Sequence, residues 1–151
     1  MAGQLAKAGA DSIGLSDTTG YANPAQIKRM FRRLRSEVGG EKMGGAHLHN
    51  TRGQGLANVV AALEVDVTTF DSSLGGLGGC PYAPGASGNI VTEDLVFMLE
   101  AIGLRTGVNI DALIAARDVL MHGLPNEVIY GNIPDVGVPK GFTYAGERSV
   151  L

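Results

Sequence analysis

The chain has 151 residues, of which 44% are hydrophobic and 18% charged, and its formal net charge is −3. These values are typical of a soluble globular domain with a buried core, and the mild acidity gives no reason to expect a nucleic-acid partner. No apolar run approaches the ~20 residues that span a bilayer, so no membrane partner is expected, and the N-terminus lacks the apolar core of a signal peptide. The sole cysteine, Cys80, cannot form an internal disulfide, which favours a reducing compartment such as the cytoplasm.

Short apolar runs alternate with amphipathic helices along the chain. A short helix over residues 3–8 precedes a predicted strand over residues 11–17. Asn23 and Pro24 then predict the start of a helix, because asparagine is a good N-cap and proline suits the first helical turn. Apolar residues at helical spacing continue this helix to Val38 and give it one apolar face.

The same alternation continues towards the C-terminus. Strand alternating with helix implies a parallel sheet with right-handed crossovers. The predicted elements are strands over residues 42–49 and 65–71 with a helix over about 54–63 between them, then helices capped by Thr92 and Asn109, and an irregular tail, rich in glycine and proline, from Gly123.

Polar side chains follow the predicted strands at the edge where parallel α/β sheets bind their ligands. Asp17 ends the first strand, His47 and His49 end the second, and Asp71 ends the third. Because residues i and i+2 of a strand point to the same side, both imidazoles are expected to face one site and to provide two nitrogen ligands for a metal ion. A pair of purely structural histidines is the alternative. The third histidine, His122, is expected to lie on the surface and to play no part.

Residues 71–89 hold Cys80 within a glycine-dense run that follows the third predicted strand. Glycine costs backbone entropy, so such a run needs unusual backbone angles or mobility. A thiol on a loop of this kind can be brought to a substrate and withdrawn. A surface loop with an incidental cysteine is the alternative on this run alone.

Three segments resemble the 3-hydroxy-3-methylglutaryl-CoA lyase family, which belongs to a metal-dependent branch of the TIM barrels that also includes the isopropylmalate and homocitrate synthases. They are SDTTGYANP, HLHNTRGQGLAN and the segment that begins FDSSLGGLGGCPYAPGASGN. The resemblance covers about residues 6–120, and the GGCPYA cysteine segment distinguishes the lyases from the synthases. It implies an α/β fold built from the last three βα units, strands 6–8, of a (β/α)₈ barrel. Residues 1–122 would form this part of the barrel, with C-terminal helices, and residues 123–151 an irregular tail.

The resemblance implies cleavage of 3-hydroxy-3-methylglutaryl-CoA to acetyl-CoA and acetoacetate, a retro-Claisen reaction of leucine degradation and ketone-body metabolism. His47, His49 and Asn89 match the family's ligands for Mg²⁺ or Mn²⁺, and Cys80, Asp17 and His47 match its catalytic residues. It further implies an acyl-CoA substrate as partner and assembly into a homo-oligomer, as in the dimers of full-length relatives.

No segment of the chain matches the family's first strand, whose Arg–Asp pair binds the metal and stabilises the enolate. The chain is therefore expected to be the C-terminal portion of a lyase, with little or no activity by itself. Because three strands cannot close a barrel, we expect Ile13, Leu15, Val65 and Val67 to border an exposed apolar surface, and the chain to self-associate or fold poorly. Two alternatives remain open, namely a related lyase acting on a longer 3-hydroxy-acylglutaryl-CoA and a non-catalytic barrel fragment.

Overall fold

The computed structural model describes residues 1–79 and 88–147 of the chain. Cys80, the predicted catalytic thiol, lies outside the described residues. Two units divide the chain, one made of Met1–Ser72 and Gly78–Ile90 and the other made of Ser73–Leu77 and Val91–Leu151.

A parallel sheet with helical crossovers organises the first unit, which confirms the predicted α/β class. Within the described residues the sheet has three strands in the order β1–β2–β3, and both pairings are parallel. The carboxyl ends of the strands therefore meet at one edge of the sheet. The elements in chain order are α1 (Ala2–Lys7), β1 (Ile13–Asp17), α2 (Pro24–Val38), β2 (Met43–Leu48), α3 (Gly55–Leu63) and β3 (Phe70–Asp71).

The helix α2 begins where the sequence predicts. The side chain of Asn23 accepts a hydrogen bond from the backbone N–H of Gln26 at 3.0 Å, and Pro24 occupies the first helical turn. This arrangement satisfies one of the N–H groups that a helix start leaves without a helical partner. Ile27 and Phe31 of α2 are buried, with 6% and 0% exposure, so the predicted apolar face packs into the core.

The third strand is much shorter than the predicted 65–71, because only Phe70 and Asp71 pair with β2. The backbone before them continues from the end of α3 instead: the N–H groups of Val65 and Val67 both donate to the carbonyl of Ala62, at 3.0 and 3.1 Å. The start of this β-branched, apolar run therefore forms the turn that ends α3. Its backbone N–H groups bond to the helix and are not available to the sheet.

The prediction that Ile13, Leu15, Val65 and Val67 border an exposed apolar surface is wrong for three of these four residues. Ile13, Val65 and Val67 are 8%, 7% and 2% exposed. The residues that alternate with Ile13 and Leu15 in β1 are Gly14 and Ser16, and these are the exposed ones. The exposed face of β1 therefore carries glycine and serine. Successive side chains of a strand point to opposite faces, so the apolar side chains of β1 point to the other face.

Among the described residues, the second unit contains three α-helices, α4 (Thr92–Ala101), α5 (Ile110–Gly123) and α6 (Ile133–Val136), and two short 3-10 helices, Leu74–Gly76 and Ala145–Glu147. Asn109 caps α5 as predicted, because its side chain accepts a hydrogen bond from the N–H of Ala112 at 2.9 Å. Thr92 is not the cap of α4 but its first helical residue, and Val91 occupies the N-cap position. No helix among the described residues is long and apolar enough to cross a membrane.

Two buried carboxylates of α4 accept hydrogen bonds from the backbone of the C-terminal tail, which contains the short helix α6. Asp94, which is 8% exposed, accepts hydrogen bonds from the backbone N–H groups of Asn132 and Ile133, the start of α6. Glu100, which is 2% exposed, accepts one from the N–H of Ala145 at 2.7 Å. Side chains 38 to 45 residues away in sequence supply these anchors, so local composition does not reveal them.

Candidate active site and metal centre

Two imidazoles converge at the carboxyl end of β2. His47 lies within the strand and His49 one residue beyond it, and their Nε2 atoms are 3.2 Å apart. Two nitrogen ligands about 2.1 Å from one ion, at an angle of roughly 90–110°, lie about 3.0–3.4 Å apart. The spacing of the two Nε2 atoms therefore fits a shared metal ion.

The environment of His49 favours the neutral imidazole that a metal requires. The side chain is 5% exposed. Burial lowers the pKa of His49 and the neighbouring His47 lowers it further, while the negative charge of Asp17 opposes the shift in part. Within the described part of the chain, the Nδ1 atom of His49 is buried without a hydrogen-bond partner.

His47 lies on the central strand of the described sheet, between polar residues of the two neighbouring strands. In the parallel register it lies opposite Ser16 of β1 and Asp71 of β3. The Oδ2 atom of Asp71 is 3.4 Å from the Nδ1 atom of His47, on the side of the ring away from His49. A carboxylate on the second nitrogen is the usual means of orienting a histidine ligand. The sequence places Asp71 at this edge but assigns it no role.

Asn89 lies beside the histidine pair although it is 40 positions from His49. It forms an isolated antiparallel bridge with His49. Hydrogen bonds on both sides fix this pairing, one from the N–H of Asn50 to the carbonyl of Gly88 and one from the N–H of Ile90 to the carbonyl of Leu48, at 3.0 and 3.2 Å. An amide oxygen is a ligand that Mg²⁺ and Mn²⁺ accept.

The carboxylate of Asp17 closes the loop between β1 and α2. Its two oxygens accept hydrogen bonds from the backbone N–H groups of Tyr21 and Ala22, at 3.0 and 3.1 Å. Arg52, from the loop after β2, stacks its guanidinium 4.0 Å from the centre of the Tyr21 ring and donates to the carbonyl of Thr19. Asp17 therefore shapes this loop and also acts on His49 through its charge.

The described residues do not provide a complete metal site made only of charged and imidazole ligands. In residues 1–79 and 88–147, no group of three or more His, Cys, Asp or Glu side chains is arranged to hold an ion. The two histidines therefore need amide or other oxygen ligands beside them. His122 is exposed on α5, where its ring contacts the carbonyl of Asp118, so it lies on the surface as predicted.

Comparison with known proteins identifies the family. The family model described as HMGL-like matches residues 1–120. The chain belongs to the HMGL-like family. It is 47% identical to the hydroxymethylglutaryl-CoA lyase of Bacillus subtilis over 108 residues, and 47% identical to the human mitochondrial hydroxymethylglutaryl-CoA lyase over 116 residues. These segments cover 72% and 77% of the chain.

Solved structures of HMG-CoA lyases share this fold. The HMG-CoA lyase of Acinetobacter baumannii, solved with coenzyme A and 3-methylmalate, superposes with a TM-score of 0.82 at 47% identity. That comparison covers 91% of the present chain and 44% of the other. The chain spans only 36% of the length of the Bacillus subtilis relative and 35% of the human one.

Proposed function

We propose that these residues are the C-terminal part of a 3-hydroxy-3-methylglutaryl-CoA lyase, which cleaves its substrate to acetyl-CoA and acetoacetate. β1, β2 and β3 then correspond to strands 6, 7 and 8 of a (β/α)₈ barrel, within residues 1–122, and residues 123–151 form the tail. The observation that carries the proposal is the 3.2 Å approach of the His47 and His49 Nε2 atoms, at the strand edge where such barrels perform chemistry.

His47 and His49 would hold a divalent ion, Mg²⁺ or Mn²⁺, through their Nε2 atoms, and Asn89 would add its side-chain oxygen. When bound, such an ion supplies a Lewis acid that lowers the cost of an alkoxide at the substrate hydroxyl. Neutral imidazoles and an amide leave the ion's positive charge undiminished, which suits this task. Asp71 would keep the His47 ring in place through its Nδ1 atom.

Proton transfer falls to Cys80, with Asp17 and His47 assisting. A base removes the proton from the tertiary hydroxyl, the C2–C3 bond breaks to release acetoacetate, and the acetyl-CoA enolate takes up a proton. The thiol of Cys80 suits this exchange because its ordinary pKa, about 8.5, lies close to neutral pH. The Asp17 carboxylate acts through its charge, because it opposes in part the lowering of the His49 pKa.

Several further features belong to the same proposal. The substrate is an acyl-CoA, in keeping with the coenzyme A bound to the Acinetobacter baumannii relative. A homo-oligomer and a cytoplasmic location are proposed for the whole protein, the latter because these 151 residues hold one cysteine and therefore no internal disulfide. Human relatives carry the names of both the mitochondrial and the cytoplasmic lyase.

A chimaera tests the proposal directly. The 151 residues would replace the matching C-terminal segment of the Bacillus subtilis lyase, and cleavage of 3-hydroxy-3-methylglutaryl-CoA would be followed with Mg²⁺ and with Mn²⁺. We expect metal-dependent turnover that His47→Ala abolishes, while His122→Ala, the matched surface control, leaves it unchanged. A folded chimaera without turnover on this substrate, but with turnover on a longer 3-hydroxy-acylglutaryl-CoA, would replace the proposed substrate.

The role of Cys80 is separable in the same chimaera. Cys80→Ser should reduce turnover strongly and leave Mn²⁺ affinity nearly unchanged, because a hydroxyl is a far weaker acid than a thiol at neutral pH. Near-normal turnover in this variant would show that Cys80 does not transfer the proton.

A further inference from the structure

A buried ion pair lies in the second unit, away from the histidine site in sequence. The guanidinium of Arg117 on α5 lies 2.6 Å from the carboxylate of Glu93 on α4. Their side chains are 8% and 0% exposed. Charges are removed from water only where partners compensate them, so the contacts of this pair show what it holds in place.

The two charged groups close a ring of hydrogen bonds with two backbone segments. The N–H of Gly75 donates to both oxygens of Glu93, at 3.2 and 3.1 Å. Arg117 donates to the carbonyl of Tyr130 at 2.8 Å, and the N–H of Tyr130 donates to the carbonyl of Gly75 at 2.8 Å. Each of the four residues therefore contacts two others of the same ring.

The backbone at Gly75 is shaped to fit this ring. Its φ angle is +63°, in the left-handed region that favours glycine. A Cβ atom at this position would overlap the side chain of Ile129, the neighbour of Tyr130. Gly75 is thus fixed by its angle, by the absence of a side chain and by both of its backbone polar groups.

Gly75 begins the glycine-rich run that the proposed function uses. In sequence it stands five residues before Cys80 and fourteen before Asn89. We propose that Arg117 is a positioning residue for this run: it holds Glu93 in the one orientation that fixes Gly75, and so fixes the point from which the run departs. The importance of this anchor for catalysis rests on the proposed function, whereas its existence does not.

The guanidinium is essential to this role because Glu93 is buried. Without a cation, the carboxylate retains a single backbone donor among the contacts described above, and the buried charge is poorly compensated. The Glu93 side chain should then turn towards water, and this change weakens its hold on Gly75. Both bonds of Arg117, to Glu93 and to the Tyr130 carbonyl, come from the same nitrogen, Nη1. A lysine ammonium can donate to the same two acceptors, but its flexible stem does not hold the nitrogen in place as the planar guanidinium does, so it should restore the contacts only in part.

Amide hydrogen exchange of the purified chain measures the anchor. Arg117→Met removes the charge and retains the bulk of the side chain, Arg117→Lys restores the charge, and Lys28→Met removes the exposed Lys28–Glu64 ion pair as a control. We expect exchange at the Gly75 amide to accelerate at least ~10-fold in Arg117→Met, with partial recovery in Arg117→Lys and no change in Lys28→Met.

A second readout joins the anchor to the glycine-rich run. Alkylation of Cys80, the only thiol, by iodoacetamide should change in rate in Arg117→Met and recover in Arg117→Lys. The amide of Ala46 in β2, bonded to the carbonyl of Thr69, serves as the reference for general unfolding and should keep its exchange rate.

Each outcome decides the proposal. Faster exchange at Gly75 together with an altered alkylation rate supports the positioning role. Unchanged exchange at Gly75, an unchanged alkylation rate, or equal acceleration at Gly75 and Ala46 would overturn it, the last because it shows a merely structural loss. None of these readouts needs metal or substrate, so failure of the proposed function would leave them untouched.

Discussion

At the scale of single residues, Asp71 is placed to orient the ring of His47. The carboxylate of Asp71 lies 3.4 Å from the Nδ1 atom of His47, which leaves the Nε2 atom turned towards His49. We predict that Asp71→Asn weakens Mn²⁺ binding about 10-fold or more, because loss of a carboxylate behind a histidine ligand typically costs that much. Titration of the chain with Mn²⁺, followed by electron paramagnetic resonance, measures the change.

Asp11→Asn is the matched control, since Asp11 is an exposed carboxylate just before β1. Equal Mn²⁺ affinity in Asp71→Asn and Asp11→Asn would show that Asp71 does not orient the histidine.

Sequence spacing predicts some of these residues and not others. The i, i+2 spacing of His47 and His49 is enough to place both rings on one side, because strand geometry is local. The role of Asp71 depends on the register between β2 and β3, and that register is set by packing rather than by local pattern. The position of Asn89 follows from a bridge to His49 across 40 residues, and the family resemblance indicated its role as a ligand.

At the scale of elements, the packing of α3 depends on a glycine. A Cβ atom at Gly55, the first residue of α3, would overlap the side chain of Ile90, whereas one at Gly123, the last residue of α5, would meet nothing. We predict that Gly55→Ala destabilises the chain by about 1–3 kcal/mol through overpacking, which outweighs the ~0.5–1 kcal/mol that alanine gains in a helix.

Gly123→Ala makes the same chemical change in open space, so it should be neutral or stabilising by up to about 1 kcal/mol. Urea unfolding followed by circular dichroism compares the two variants. If Gly55→Ala proved as stable as Gly123→Ala, the close contact between α3 and Ile90 would be wrong.

The helices were easier to predict than the third strand for a physical reason. α2 and α5 each begin with an asparagine whose side chain bonds the backbone three residues later, and this signal is contained in a few neighbouring residues. The apolar run at residues 65–71 suits either a strand or the buried turn that ends a helix. The backbone hydrogen bonds from Val65 and Val67 to the carbonyl of Ala62 favour the turn, and the sequence of the run alone does not reveal them.

At the scale of the whole molecule, acid should weaken the second unit. Burial opposes ionisation of Glu100, but hydrogen bonds from the side chain and backbone of Thr106, and from the backbone of Ala145 and Gly107, outweigh it and lower its pKa below the ordinary 4.5. A lowered pKa stabilises the fold fully above the unfolded value, and this contribution is lost as the pH falls through the folded value.

We therefore predict that Glu100→Gln lowers the melting temperature at pH 7 and flattens its fall below about pH 5. Thermal unfolding between pH 3 and pH 7, with the exposed Glu127→Gln as control, measures both effects. If the melting temperature of Glu100→Gln fell below pH 5 as steeply as that of the unchanged chain, Glu100 would not be a source of the pH dependence of stability.

The 151 residues alone should associate and should not turn over substrate. In the described sheet β1 pairs on one side only, and such an edge is a template for pairing with another chain. Ile13, Val65 and Val67 are buried, so the edge rather than an apolar face drives this association. Sedimentation velocity should show species larger than one chain. A stable monomer that cleaves 3-hydroxy-3-methylglutaryl-CoA at the rate of an enzyme would refute both expectations.

Pulsed electron paramagnetic resonance of the chain with Mn²⁺ shows directly whether the two histidines bind one ion. If His47 and His49 share one ion through Nε2 atoms that lie 3.2 Å apart, the spectrum should show coupling to two imidazole nitrogens. His47→Gln and His49→Gln should each remove one coupling, and His122→Gln should remove none. Absence of imidazole coupling at saturating Mn²⁺, or its persistence in both variants, would show that the two rings bond to each other rather than to a metal.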